Sequence, residues 1–309
     1  MQIIERDQVE TSLLYPQFID QLDNAFAGEY HMPPRQVLPL APGVSHDALA
    51  MLPAWNDQVI ALKTFTYFPG NEAPFDSLYS KILVFDRANG SPLALIDGTA
   101  VTYWRTAGVS ALASRYLSRE DSEELLIVGT GNLAPYLLRA HSSVRRFSRL
   151  RLWGRNPQRA HRIAAALAGE LTVEVVEDLP RACASADVIV AATGSPDPLI
   201  EGARIKPGSH VDCLGNHHAD HRECDSAMVT RARVFVDTRV NCFKEAGELL
   251  LPVGEGCFEL DQVCGELAEL CRGEVAGRQS RDEITFFKSV GCALGDMAGA
   301  LAVLEESPA

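Results

Sequence analysis

The period of the apolar positions changes several times along the chain, and each change marks an element. Phe18, Ile19, Leu22, Ala25 and Phe26 recur every three to four residues, the spacing of one buried helix face, after a short N-terminal strand. Residues 51–53 read as a short strand and 59–68 as an alternating one. Residues 79–86 and 92–97 form a hairpin around the turn sequence Ala88-Asn89-Gly90. Asp97-Gly98-Thr99 starts a helix over 99–117, with an apolar stripe through Val101, Val109, Leu112 and Tyr116. The charged stretch 118–124 (SREDSEE) reads as a linker. Beyond it strands and helices alternate: strands at 125–128, 150–153, 171–176, 187–192, 210–214 and 234–237, helices at 157–168 and 179–185, and helical stretches at 244–250 and 259–271. A strand at 284–288 and a helix at 289–304 end the chain, a tail of the kind that returns to a preceding domain. This alternation predicts an α/β fold with a parallel sheet.

The strand at 125–128 runs into Gly129-Thr130-Gly131-Asn132-Leu133-Ala134, a G-x-G-x-x-A turn, and then into a helix with the stripe Ala134, Leu137, Leu138 and His141. A second strand follows at 150–153. Strand, glycine turn, helix and strand in this order form the first β-α-β unit of a Rossmann dinucleotide-binding fold. Gly129 serves the tight turn, Gly131 lets backbone approach a pyrophosphate, and Ala134 is small enough for close helix–strand packing. The helix N-terminus offers N–H groups to the phosphates. The second strand ends Trp153-Gly154-Arg155-Asn156. A site for NAD places a carboxylate there for the ribose 2′-hydroxyl. An arginine instead matches a 2′-phosphate, so NADP(H) is the preferred cofactor and NAD(H) the alternative. The turn Thr193-Gly194-Ser195 ends another strand beside the first turn, and the strand to Leu214 opens into Gly215-Asn216-His217, both at the strand ends where open α/β sheets bind ligands.

Two cations interrupt apolar faces. Lys63 shares a strand face with Ala61 and Phe65, and either meets an anion or extends its stem to the sheet edge. Arg105 lies inside the 99–117 stripe and needs a partner, either a structural carboxylate or a ligand anion. Arg35 follows two prolines that keep the chain extended. His217, His218 and His221 share one loop without metal-ligand spacing; His217 or Asp220 could reach the nicotinamide side.

Composition narrows the classes. With 309 residues and 47% hydrophobic content the chain can bury one large core or two. No apolar run reaches membrane-spanning length, and MQIIERDQVE lacks the apolar core of a signal peptide, so a cytoplasmic protein is expected. A formal charge of −13 disfavours nucleic acid and anionic membranes as partners. The eight cysteines contain no C-x-x-C pair and read as reduced thiols. Cys257, Cys264 and Cys271 are seven apart; one helix face accounts for the last two, and no metal is expected.

Taken together, PPR at 33–35, the lysine of LKTFTYFPGN, the hairpin with DGTAVTYWRTAGVSALASRYL, VGTGNLA, WGRNPQRA, ADVIVAATGS and DEITFFKSVG resemble the ornithine cyclodeaminase/μ-crystallin family over nearly the whole chain. The resemblance implies a Rossmann domain (119–287) inserted in a smaller α+β substrate and dimerisation domain (1–118 with 288–309), and a homodimer. It places Arg35, Lys63 and Arg105 on the substrate carboxylate and Val290 on the substrate lining. Ser77, Thr106, Thr193 and Ser289 fall near the cofactor. Ser289 is expected at the N-terminus of the last helix, a spot that suits anions. Family deaminases carry a catalytic aspartate in a GGD pattern, where this chain has Gly215-Asn216-His217, and they end the second strand with an acid, where it has Gly-Arg-Asn. Both departures point to the reductase branch, a ketimine reductase acting on a small imino acid carboxylate, with Lys63 or His217 tuning the proton. Ornithine cyclodeaminase, an alanine-dehydrogenase-like enzyme and a μ-crystallin-like binding protein are the alternatives.

Overall fold

A computed structural model describes residues 1–306. In chain order the elements are β1 (Gln2–Ile4), α1 (Arg6–Ser12), α2 (Tyr15–Ala27), β2 (Gln36–Pro39), β3 (Ala48–Trp55), β4 (Val59–Tyr67), β5 (Leu78–Asp86), β6 (Pro92–Asp97) and α3 (Gly98–Leu117). Then follow β7 (Glu124–Val128), α4 (Ala134–Val144), β8 (Arg149–Trp153), α5 (Pro157–Leu167), β9 (Val173–Val175), α6 (Leu179–Ser185), β10 (Val188–Ala191) and β11 (His210–Cys213). The chain closes with α7 (Ser226–Arg231), β12 (Ala232–Val236), α8 (Arg239–Glu245), α9 (Gly247–Gly254), β13 (Val263–Glu266), α10 (Leu267–Cys271), β14 (Ile284–Lys288) and α11 (Ala293–Glu306). It divides into two compact units, Met1–Thr106 with Cys292–Ala309, and Ala107–Gly291. The first division falls inside α3 because the second half of that helix is bonded to the second unit. There Arg278 N–H donates to the Tyr116 carbonyl and the Thr285 hydroxyl to that of Leu117. Of the C-terminal piece expected from the sequence, residues 307–309 lie outside the described residues.

The first unit is a mixed six-stranded sheet in the order β1-β6-β5-β4-β3-β2, antiparallel except for β1 beside β6. β4 alternates buried and half-buried residues from Val59 to Lys63, and Lys63 falls on its buried face with Val59 and Ala61. α2 buries Phe18, Ile19, Leu22 and Phe26, as their spacing predicts, and packs against the apolar α11, which also meets β3 and β4. The second unit is an eight-stranded parallel sheet in the order β13-β12-β14-β11-β10-β7-β8-β9. β7 lies between β8 and β10, so the strand order reverses there, and the turns after β7 and β10 flank the crevice where such sheets bind ligands. Among the described residues no helix is long and apolar enough to cross a membrane.

Three expectations are corrected. Residues 259–271 are not one helix but a 3-10 turn, strand β13 and the short α10, so no shared helix face joins Cys264 and Cys271. Two capping boxes, Glu259 with Gln262 and Glu266 with Glu269, start new turns where the apolar spacing suggested continuity. Residues 244–250 contain a break at the extended Ala246, between α8 and α9. The last helix begins at Ala293, so Ser289 lies four residues before it.

Candidate active site

In the second unit, two glycines shape the turn after β7. Gly129 has φ +126°, and a Cβ there would come within 2.5 Å of the Ala192 carbonyl oxygen. A Cβ on Gly131 would meet nothing within 4 Å, so its backbone lies open to a ligand. Asn132 and Leu133 complete the turn, and no side chain caps α4, which starts with the buried Ala134. A cavity of about 340 Å³ is lined by Gly129, Thr130, Gly131, Trp153, Gly154, Arg155, Asn156 and Arg159 on one side and by Ala192, Thr193, Gly194, Ser195 and Leu199 on the other. These residues suit a dinucleotide: open backbone beside a helix N-terminus, and no acid on the lining. Arg155 is exposed and makes no hydrogen bond or ion pair among the described residues. Arg159, which the sequence reading did not single out, lines the same cavity from the first turn of α5, whose N-cap is Asn156.

The segments after β10 and β11 are tied together by a buried polar network. Glu223 accepts the Thr193 N–H at 2.6 Å and hydroxyl at 2.8 Å with one oxygen, and the Gly215 N–H at 2.7 Å with the other. Glu248 accepts the Glu223 N–H and is ion-paired at 2.8 Å with Lys288, whose ammonium also donates to the Asn216 carbonyl at 2.8 Å. The Asn216 amide donates to the Ser195 carbonyl. Burial pushes Glu223 up to about 7, with Glu248 adding to it and Lys288 opposing. Against its own burial, Lys288 is held above its ordinary value by Glu248 and Glu223. Cys213, Glu223 and Glu248 lie close enough to share a cation, but the Lys288 ammonium already supplies one there. Lys288 could have been noticed as the charge ending the apolar strand ITFFK; nothing in the sequence paired it with Glu223 or Glu248.

Ser289, Val290 and Gly291 wrap the carboxylate of Asp237. One oxygen, Oδ2, accepts the Ser289 hydroxyl and the Val290 and Gly291 N–H groups at 2.8, 3.0 and 2.7 Å. The Ser289 hydroxyl therefore serves an internal acid and not a helix terminus. Val290 packs against the core of this unit. Leu214 and Gly215 are half-buried, whereas His217 and Asp220 are exposed, with the His217 ring 4.7 Å from that of His218.

In the first unit, Lys63 and Arg105 converge on an acid the sequence reading missed. Lys63 Nζ donates to Asp296 Oδ1 at 2.9 Å and to the Thr102 hydroxyl at 2.6 Å; Arg105 Nε donates to the same Oδ1 at 2.9 Å. All three charged residues are buried. The structural carboxylate that Arg105 called for thus exists, but it uses only Nε: the terminal guanidinium nitrogens make no hydrogen bond among the described residues. Burial pushes Lys63 down to about 8; Asp296 opposes this, while Arg105 and the nearby Arg35 reinforce it. Although burial works against it, Arg105 and Lys63 hold the Asp296 carboxyl below the usual range. The signal that could have found Asp296 is its place as the one charge in the run 293–304, ALGDMAGALAVL. Arg35 is half-buried before β2, and Thr106 half-buried after Arg105. Ser77 is exposed before β5, where its carbonyl accepts the Phe68 N–H, and no hydrogen bond joins it to the Lys63 cluster.

The model of the ornithine cyclodeaminase/mu-crystallin family matches residues 2–308. A Δ1-pyrroline-2-carboxylate reductase of Colwellia psychrerythraea is 49% identical over 313 residues, 99% of this chain and 99% of that protein. The solved structure of the Thermococcus litoralis Δ1-pyrroline-2-carboxylate reductase in complex with NADH and L-proline has a TM-score of 0.93 at 29% identity, covering 99% of this chain and 97% of that one. The iminosuccinate reductase of Paracoccus denitrificans in complex with NAD+ has a TM-score of 0.89 at 29% identity, covering 99% and 96%.

Proposed function

Because this chain belongs to the ornithine cyclodeaminase/mu-crystallin family, we propose that it is an NAD(P)H-dependent ketimine reductase. Its substrate is a cyclic imine carboxylate, Δ1-pyrroline-2-carboxylate or Δ1-piperideine-2-carboxylate, and its product L-proline or L-pipecolate. The observation that carries this reading within the molecule is the buried trio of Lys63, Arg105 and Asp296. Two cations against one carboxylate leave an excess positive charge out of water, which is costly unless an anion joins them. A monoanionic substrate balances the charge. The unused end of the Arg105 guanidinium offers two parallel donors to its carboxylate, and Lys63 and Arg35 add to the attraction.

Holding the carboxylate at three points orients the adjacent imine carbon. A nicotinamide held there would supply the hydride. Lys63, near 8, can hold or release a proton close to neutral pH, which suits it better than the exposed His217 to keep the imine nitrogen protonated. The glycine turn, Trp153 to Asn156 and Thr193 to Ser195 would hold the dinucleotide, and Arg155 favours NADPH over NADH.

Eight free cysteines support action in a reducing cytoplasm. A homodimer would cover the apolar edge strand β2, where Val37 and Leu38 are about half-exposed. The test is NADPH oxidation, followed at 340 nm, by the purified protein with Δ1-pyrroline-2-carboxylate. Turnover is expected. Failure with both NADPH and NADH, together with ammonia release from ornithine and NAD, would replace the reductase with a deaminase.

A further inference from the structure

We infer that Asp296 is a positioning residue for the reduction: by holding Lys63 and Arg105 on one oxygen atom, it fixes the geometry and the charge of the substrate-carboxylate clamp. The inference rests on the ketimine reading for its kinetic part only. β4, α3 and α11 each send one charged side chain to a common point, Asp296 Oδ1. An acid that only neutralises an arginine frequently accepts two parallel bonds across both oxygens. Here Oδ1 accepts both cations, Oδ2 is buried without a hydrogen bond, and the guanidinium keeps both terminal amines unused. The Lys63 ammonium keeps one of its three N–H groups: Thr102 accepts one, Asp296 another, and Thr102 is itself locked by donating to the Gly98 carbonyl at 2.6 Å. The arrangement brings the two cations to one oxygen and leaves each with at least one donor to spare.

Asp296 also decides whether Lys63 carries a charge. The groups acting on Lys63 are Asp296 from α11, Arg105 from α3 and Arg35 from the segment before β2; of these only Asp296 favours the ammonium. β3 carries no charged residue. Lys81 of β5 is committed to Glu5 and Asp97, and on α2, which packs against α11, Asp20 is exposed and Asp23 half-buried.

The experiment uses the full chain and its Asp296→Asn and Asp296→Glu variants. The chain has five lysines, at 63, 81, 206, 244 and 288, so 13C-lysine labelling gives a countable spectrum in which Lys63→Arg assigns the Lys63 signal. In Asp296→Asn the Lys63 titration midpoint should fall by about 1 pH unit or more, a tenfold shift in protonation equilibrium. Its KM for Δ1-pyrroline-2-carboxylate should rise at least ~10-fold, the loss of one charge-assisted contact, with KM for NADPH unchanged within about 2-fold. The alkaline limb of kcat/KM should move down with the Lys63 midpoint. Asp296→Glu restores the charge but not its place, so the midpoint should recover while KM stays raised. A folded Asp296→Asn protein with the wild-type midpoint and KM overturns the inference; if that variant does not fold, an unchanged KM in Asp296→Glu overturns it. If the wild type does not reduce the imine, the ketimine reading fails alone, and the NMR midpoints still decide what Asp296 does to Lys63.

Discussion

Replacing Arg155 by alanine is the sharpest test of cofactor choice, because nothing else in the structure depends on that side chain. It is exposed and has no hydrogen-bond or ion-pair partner among the described residues, so its loss should change stability by less than about 0.5 kcal/mol. On the proposed reading its contribution arises only when a 2′-phosphate is present. Two unit charges 4 Å apart attract by about 4 kcal/mol at an effective dielectric constant near 20, an upper bound for so exposed a group. A charge-assisted hydrogen bond gives about 1.5–3 kcal/mol, and screening at the surface favours the lower end. KM for NADPH should therefore rise roughly 10- to 100-fold, whereas KM for NADH, which lacks the 2′-phosphate, should change by less than about 3-fold. Both are read from absorbance at 340 nm with a fixed imine concentration. Added salt should narrow the wild-type preference and leave the variant nearly indifferent. A wild type that prefers NADH, or a variant that loses both cofactors in parallel, would refute the assignment of Arg155 to the phosphate.

Three further outcomes follow from other parts of the structure. Arg105→Ala should raise KM for the imine sharply or abolish turnover while the protein still quenches or enhances NADPH fluorescence on binding; near-normal kinetics would remove Arg105 from the clamp. Glu223→Gln keeps one acceptor oxygen where Thr193 and Gly215 now use two, so a buried N–H loses its partner at a cost of about 1–3 kcal/mol. A melting temperature lowered by about 2–4 °C per kcal/mol and weaker NADPH binding are expected, and wild-type values for both would show that the network does not brace the turns. Asp212 is buried, takes the hydroxyl hydrogen of Ser110, and is pushed by burial up to about 7. A carboxyl raised above its unfolded value of 3.8 contributes stability that is complete below that value and is lost as pH rises through about 7, up to about 4 kcal/mol. Asp212→Asn should gain on the wild type between about pH 4 and 7 in paired thermal melts, and parallel curves would show that Asp212 does not titrate there.

The sequence carried the parts of the site that depend on local chemistry. A glycine turn between an apolar strand and an amphipathic helix is a contiguous pattern, so the backbone of residues 129–134 was legible, as was the absence of an acid beyond β8. Lys63 was legible as a cation on a buried strand face, because alternation assigns the face whatever the partner. Boundaries failed where polar caps cut an apolar spacing, as at Glu259 and Glu266, and where a loop is held by a distant side chain, as Asp237 holds Ser289. Ser289 follows a strand and precedes a helix, so it resembles a helix cap until the acid 52 residues earlier claims its hydroxyl.

The same limit accounts for the acid that matters most. Asp296 lies 233 residues after Lys63 and 191 after Arg105, and no local period connects them. What the sequence does contain is the imbalance: a lysine and an arginine on apolar faces in one part of the chain, and a single carboxylate on an otherwise apolar helix in another. Burial makes such charges expensive singly and tolerable together, so each implies the others even though none locates them. The count of charges goes one step further than the pairing. Lys63 and Arg105 carry two positive charges and Asp296 one negative charge, so the trio carries an excess positive charge. The buried acid thus engages Arg105 Nε and leaves one positive charge of the trio uncompensated, so a structural partner for Arg105 does not exclude a ligand for the same side chain.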